Sequence, residues 1–212
     1  MKILILGAAG QISRLVTRKL LNETNHSLVL FARNGAKRLT ISDAGREEII
    51  DGDFTDSNMV KKALEGIDAV YLNDVNSLTG VKTVVEAMES SNVKTLIAAS
   101  ILGIYDEVPG AFGKWNERMV GRAGIQHQRQ AADIIENSSL DYTILRLTWL
   151  YNQTGNEAYQ VTQKGEPFEG AQVTREAVAR LIFDITQDPA GYAKTSLGVS
   201  EPNTNWAKPS FY

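Results

Sequence analysis

Two hydrophobic periods alternate along this chain. Lys2–Leu6 is a short apolar run of strand-forming residues, and Ile12, Leu15, Val16 and Leu20 then fall at helical spacing, on one face. The same succession recurs. Ser27–Ala32 reads as a second strand. Glu48–Ile50 leads into Gly52-Asp53-Phe54-Thr55-Asp56, which predicts a third strand ending at Asp53 and a helix from about Ser57 to Glu65. Ala69–Leu72 is a fourth strand ending at Asn73, followed by a core-facing helix marked by Val81, Val84, Val85 and Met88. Val93–Ala99 is a fifth strand ending at Ser100. The glycine-rich stretch Ile101–Gly124 predicts a loop that folds over the site as a wall or lid, and a helix follows from about Ile125 to Asn137. Tyr142–Leu147 is a sixth strand; short strands and loops fill Gly155–Val173; Val178, Leu181, Ile182 and Ile185 mark a last helix opened by Thr174; Ser196–Val199 closes the pattern. The tail Glu201–Tyr212 is expected at the surface, pinned by Trp206 or Phe211.

Strands alternating with helices imply a parallel sheet with right-handed crossovers. The expected fold is α/β, a doubly wound parallel sheet over residues 1–212 as one domain, in which 149–212 includes a small carboxyl-terminal, substrate-side part. In such a sheet ligands lie outside the carboxyl ends of the strands. Gly7, Arg33, Asp53, Asn73 and Ser100 all fall at such ends.

The first of these ends carries the most chemistry. Gly7-Ala8-Ala9-Gly10 follows the first strand at once and opens the first helix. Gly7 lets the chain turn sharply, and Gly10 lets a pyrophosphate approach the backbone. The helix starting near Gln11 aims unpaired N–H groups and a positive dipole end at that phosphate. Gly7, Ala9, Gly10, Gln11 and Ile12 are therefore candidate dinucleotide contacts, the alternative being an ordinary turn of another α/β protein. The spacing is G-x-x-G-x-x-S, with Ser13 where a third small residue allows close helix packing. At the end of the second strand an acid would hold the ribose of NAD, whereas Arg33 suits the extra phosphate of NADP. The expected cofactor is NADP, with NAD possible, and the competing reading of Arg33, Lys37 and Arg38 is a solvated basic turn. Asp53 and Phe54 are candidates for the adenine; the alternative has Asp56 or Ser57 capping the next helix and Asp53 merely in the turn.

Composition narrows the function. The net charge is −3 and no basic block stands out, so no nucleic-acid surface is expected. The chain has no cysteine, which excludes disulfides, thiolate metal sites and cysteine nucleophiles, and no metal site is expected. No apolar run is long enough to span a membrane, and the start does not read as a signal peptide, so a cytoplasmic protein acting on a small molecule is expected. There is no G-x-S-x-G, G-x-x-x-x-G-K-[ST] or H-E-x-x-H motif.

Four segments together, KILILGAAGQIS, GDFTD, LIAASILGIY and SLDYTILRLTWLYN, resemble the short-chain dehydrogenase/reductase superfamily, most closely its atypical NmrA-like, NAD(P)-binding branch. The resemblance runs over roughly Met1 to Val199. It implies a Rossmann fold and a Ser, Tyr and Lys catalytic set, with Tyr and Lys four residues apart. Ser100 matches the serine. Counting back from SLDYTILR puts Ile125 at the Tyr position and Arg129 at the Lys position. Isoleucine transfers no proton, and arginine holds ribose hydroxyls but relays protons poorly. Tyr105, five residues after Ser100, is the candidate substitute, or else a packing tyrosine. The resemblance thus implies an NADP-dependent oxidoreductase of quinone, flavin or carbonyl substrates without the usual Tyr-Lys pair, with Ser100 and Tyr105 as catalytic candidates and Arg129 and Asn73 at the cofactor. The alternative is a non-catalytic NADP-sensing regulator. A sugar-nucleotide epimerase fits less well, since the chain is short for a large substrate domain.

Overall fold

The computed structural model of the chain describes every residue from Met1 to Tyr212. In chain order the elements are β1 (Lys2–Leu6), α1 (Gln11–Glu23), β2 (Ser27–Ala32), the single turn α2 (Gly35–Arg38), β3 (Glu47–Asp51), α3 (Ser57–Ala63), β4 (Ala69–Leu72), α4 (Leu78–Glu89) and β5 (Thr95–Ile101). Then follow α5 (Gly110–Val120), α6 (Arg122–Glu136), β6 (Asp141–Leu147), β7 (Trp149–Tyr151), β8 (Gln160–Thr162), β9 (Gln172–Thr174), α7 (Arg175–Gln187) and β10 (Thr195–Ser200).

Eight strands form one sheet in the order β3-β2-β1-β4-β5-β6-β10-β8, parallel except for β8, which runs antiparallel to β10. Leu4 sits opposite Val29 on one side and Val70 on the other. The strand order reverses between β1 and β4, where a doubly wound sheet opens its ligand crevice. The central strands are unbroken apolar runs because helices cover both faces. On one face Ile12, Val16 and Leu20 of α1 meet Val178, Leu181 and Ile182 of α7; on the other, Val60, Val81, Val84, Met88 and Ile135 pack from α3, α4 and α6. A separate pair, β7 with β9, runs parallel beyond the end of β6. Thr174 caps α7 as expected, its hydroxyl accepting from the Ala177 N–H at 2.9 Å.

Two expectations are corrected. The third strand stops at Asp51, leaving Asp53 in the following turn. The stretch Ile101–Gly124 is not all loop, for it holds the 11-residue helix α5, with Phe112 and Asn116 buried one turn apart. The glycines that suggested a loop mark the ends of this helix: Gly110 (φ +66°) and Gly121 (φ +80°) take left-handed conformations. Gly113 instead lies so close to the Val108 carbonyl that a side chain does not fit.

A buried ion pair anchors the segment between β5 and α5. Arg146, fully buried on β6, donates to Glu107 Oε1 at 2.6 Å. The same carboxylate accepts from the N–H groups of Gly103 (3.0 Å) and Tyr105 (2.8 Å). Arg146 also reaches the carbonyls of Thr162 and Ser196, both at 3.1 Å. The last residues of the tail lie against the fold, with Tyr212 edge-on to Trp115 and Trp149 at 5.1 Å and Phe211 5.8 Å from Tyr151, although all three tail aromatics, Trp206 included, remain exposed.

Candidate active site

The turn after β1 is built from backbone. Gly7 takes φ +83°, and the N–H groups of Gly7 and Ala8 both donate to the Phe31 carbonyl, at 3.0 and 3.1 Å. Ser13, buried in α1, donates to the Gly7 carbonyl at 3.0 Å and locks the turn from below. A Cβ added at Gly10 would lie 2.5 Å from Asn73 Nδ2. The Asn73 amide is oriented by Tyr71, whose hydroxyl donates to its oxygen at 2.8 Å and so turns the NH2 toward the glycine turn. Burial pushes the Tyr71 phenol far up, which keeps it a donor. The first turn of α1 has neither a side-chain cap nor an acid, so its N–H groups are free for an anion. The turn and Asn73 thus fit a pyrophosphate, and Gln11 and Ile12 continue its wall into the cleft.

Basic groups surround the next strand ends. Arg33, 75 % exposed, stands 3.8 Å from Asp53. Arg38 donates to the Arg33 carbonyl at 3.2 Å, and Arg14 donates to the carbonyls of Arg38 (2.5 Å) and Ala9 (3.2 Å). Three guanidiniums therefore share one turn. Arg14 was not singled out from sequence; its signal is its place one helical turn after Gly10. Asp53 accepts from the Thr55 N–H (3.0 Å) and hydroxyl (2.9 Å), and these bonds, with Arg33 nearby, hold its carboxyl below the usual range. Asp56 caps α3 through Asn58 and Met59. Phe54 is half-buried, its ring filling the space that Gly80 leaves on α4.

At the ends of β1, β4, β5 and β6 lies a cleft of about 350 Å³, lined among others by Asn73, Ser100, Gln128, Thr148 and Arg175. Ser100 is buried, and its hydroxyl lies 3.5 Å from Gln128 Oε1. Gln128 Nε2 donates to Asn76 Oδ1 at 2.5 Å, so both ends of this buried amide are engaged. The sheet-facing stripe of α6 is Gln128, Ala131, Ala132 and Ile135. The residue of α6 facing Ser100 is therefore Gln128, and its neighbour one turn earlier is Gly124. Counting back from β6 put Arg129 at the Lys position; in the structure the residue before it, Gln128, is the one that meets Ser100.

Arg129 accordingly points elsewhere. Its Nε donates to Asp133 at 2.7 Å, which raises its pKa, and its guanidinium stacks 4.7 Å over the Tyr105 ring. Tyr105 does not line the cleft with Ser100; its hydroxyl donates to Glu136 (2.7 Å) and lies 3.2 Å from Ser196 Oγ. Ile125 borders a neighbouring cavity of about 540 Å³ with Gly103 and Asn116. No Tyr-x-x-x-Lys spacing occurs anywhere in the chain. Arg175 was also missed, and its signal is a cation directly after a capping threonine at the start of the last helix.

The sequence and the fold match those of known proteins. Residues 7–189 match a family described as NAD(P)H-binding. A wide-type short-chain dehydrogenase/reductase from Veillonella parvula DSM 2008, solved in complex with NADP, is 36 % identical, with a TM-score of 0.94 and 99 % of each chain covered. A Rossmann-fold NAD(P)-binding family protein from Shigella flexneri is 35 % identical, with a TM-score of 0.82 over 100 % of this chain and 98 % of that one. An uncharacterized sugar epimerase of Bacillus subtilis (strain 168) is 23 % identical over 195 residues, 86 % of each chain. The parallel sheet, the glycine turn at its reversal point and these matches lead to one assignment: the chain belongs to the NAD(P)H-binding Rossmann family of short-chain dehydrogenase/reductase architecture.

Proposed function

We propose that the chain is an NADP(H)-dependent reductase of a small, electron-poor molecule of quinone, flavin or carbonyl type, working without the usual Tyr-Lys pair. The observation that carries this reading is the cleft at Ser100: it runs from the start of α1 to that serine, and the side chain of α6 that meets the serine is the Gln128 amide, which relays no proton. Gly7 to Ile12 hold the pyrophosphate, and Asn73 adds an amide donor. Arg14, Arg33 and Arg38 hold the 2′-phosphate by charge-assisted bonds. Asp53 and Phe54 border the adenine.

When bound, the reduced nicotinamide supplies a hydride. Ser100 turns its single hydroxyl proton from the Gln128 amide oxygen to the acceptor's oxygen, while Gln128 stays anchored on Asn76 as a wall of the site. Neither residue is an acid, so the proton that follows the hydride comes from water. That suits acceptors whose reduced form is stabilised by conjugation better than simple aldehydes. The relative from V. parvula, crystallised with NADP, supports the cofactor choice.

Steady-state NADPH consumption with quinones, free flavins and aldehydes tests the reading. Quinone or flavin turnover well above aldehyde turnover is expected. The second reading, a non-catalytic NADP(H) sensor, is favoured by the same Gln128 amide; tight NADPH binding with no turnover of any acceptor would establish it instead.

A further inference from the structure

Arg175 is a cation in the cleft without a counter-charge. It lines the cleft with Gln11, Ser100 and Leu150, and its side-chain hydrogen bond runs to the Asn152 amide oxygen at 3.1 Å. By contrast Arg46, Arg122, Arg129, Arg146 and Arg180 each meet a carboxylate. The acid that shares the cleft, Asp74, is engaged with the Asn76 N–H at 2.8 Å. Glu176, the next residue, turns away to accept from the Gly155 N–H at 2.7 Å.

The position opposes the charge a second time. Arg175 is the first residue of α7, a 13-residue helix, and the amino end of a helix favours anions over cations. The residue that suits this end, Glu176, faces outward, and the one that does not faces the cleft. Desolvation there pulls the guanidinium's pKa down. An entering anion supplies the missing counter-charge by pairing with the guanidinium.

The charges of the cofactor have other partners: the glycine turn for the pyrophosphate, and Arg14, Arg33 and Arg38 for the 2′-phosphate. The remaining occupant of the cleft beside Ser100 and Leu150 is the acceptor. We propose that Arg175 binds a carboxylate on the acceptor, so that the preferred substrate class is a carboxylate-bearing quinone or carbonyl compound. This inference rests on the reductase reading.

Calorimetry on the full chain saturated with NADP+ tests it, with a naphthoquinone carrying one carboxylate and its methyl ester as probes. Wild type, Arg175→Ala and Arg175→Lys are compared, and NADPH affinity is measured on each. Wild type is expected to bind the acid at least about tenfold more tightly than the ester. Arg175→Ala brings the acid down to the ester's affinity, Arg175→Lys retains part of the gap, and NADPH affinity is unaltered in both. Equal affinity for acid and ester in wild type, or no binding of the acid, overturns the proposal. So does an Arg175→Ala protein that loses NADPH affinity about tenfold, which assigns Arg175 to the pyrophosphate. Selective binding of the acid without turnover upholds Arg175 and sinks the reductase reading; equal turnover of acid and ester does the reverse.

Discussion

The two ends of the crevice are made of different materials. At β1 and β2 the ligand meets backbone: a left-handed glycine, a second glycine against Asn73, and the uncapped amino end of α1. At β5 and β6 it meets side chains brought from far apart in the chain, Ser100, Gln128 and Arg175. Backbone sites tolerate almost no added atoms and are nearly indifferent to which side chains surround them. Side-chain sites are the reverse, and there one residue changes the chemistry. Under the proposed function, the first end therefore decides whether a dinucleotide binds, and the second decides what is done with it.

The sharpest way to break this comparison is at the backbone end. Gly10→Val places a branched side chain against Asn73, and NADPH affinity should fall by at least about a hundredfold, roughly 2.8 kcal/mol. Calorimetry gives the affinity and circular dichroism checks the fold; unaltered binding would show that the dinucleotide does not cross this turn. A smaller loss is expected from Arg33→Ala. A charge-assisted contact is worth about 1.5–3 kcal/mol, so the preference for NADPH over NADH should drop at least about tenfold. Adding Arg14→Ala should remove what preference remains, and a preference that survives both would move the 2′-phosphate off this turn.

At the side-chain end the prediction is a gain. Gly124 has only Val120 near its missing Cβ, at 3.4 Å. Gly124→Tyr combined with Gln128→Lys should raise aldehyde reduction about tenfold, the lower part of what general acid catalysis supplies. An unchanged rate in a folded double variant would mean that proton delivery does not limit this chemistry. The smallest effect is expected at Tyr105, whose hydroxyl binds Glu136 rather than the cleft. Tyr105→Phe should cost about 1 kcal/mol of stability and leave turnover unaltered. Burial, reinforced by Glu136, raises the phenol above its ordinary pKa of 10.0. Its contribution is thus complete below that pH and is lost as the pH rises through the raised value. Denaturant melts across this range should show a shallower alkaline loss of stability in the Phe variant; reduced NADPH turnover instead would return Tyr105 to the active site.

The same contrast explains what was legible in the sequence. The glycine turn, the strand ends Arg33, Asn73 and Ser100, and the Thr174 cap are local signals, each readable within a few residues. The face that α6 turns to the sheet is not local. It depends on which residues the sheet buries, and it brings Gln128 rather than Arg129 to Ser100. Helix α5 was hidden because its glycines serve its two ends and one close approach to Val108, a distinction that only the folded backbone makes. Arg14 and Arg175 were passed over because a lone arginine on a helix is ordinary until its partners, or their absence, are seen.

The carboxylate of Glu107 has a bearing on how such a protein diverges. It seizes two backbone N–H groups of its own loop and the buried Arg146 of a distant strand. The chain between β5 and α5 is thus tied to β6 through one carboxylate, and α5 packs Phe112 and Trp115 beside its Leu102 and Val108. Under the proposed function, the exposed rim of that helix can vary and change the acceptor while the glycine turn stays undisturbed. The inheritance of the binding site is in this way separated from the inheritance of its selectivity.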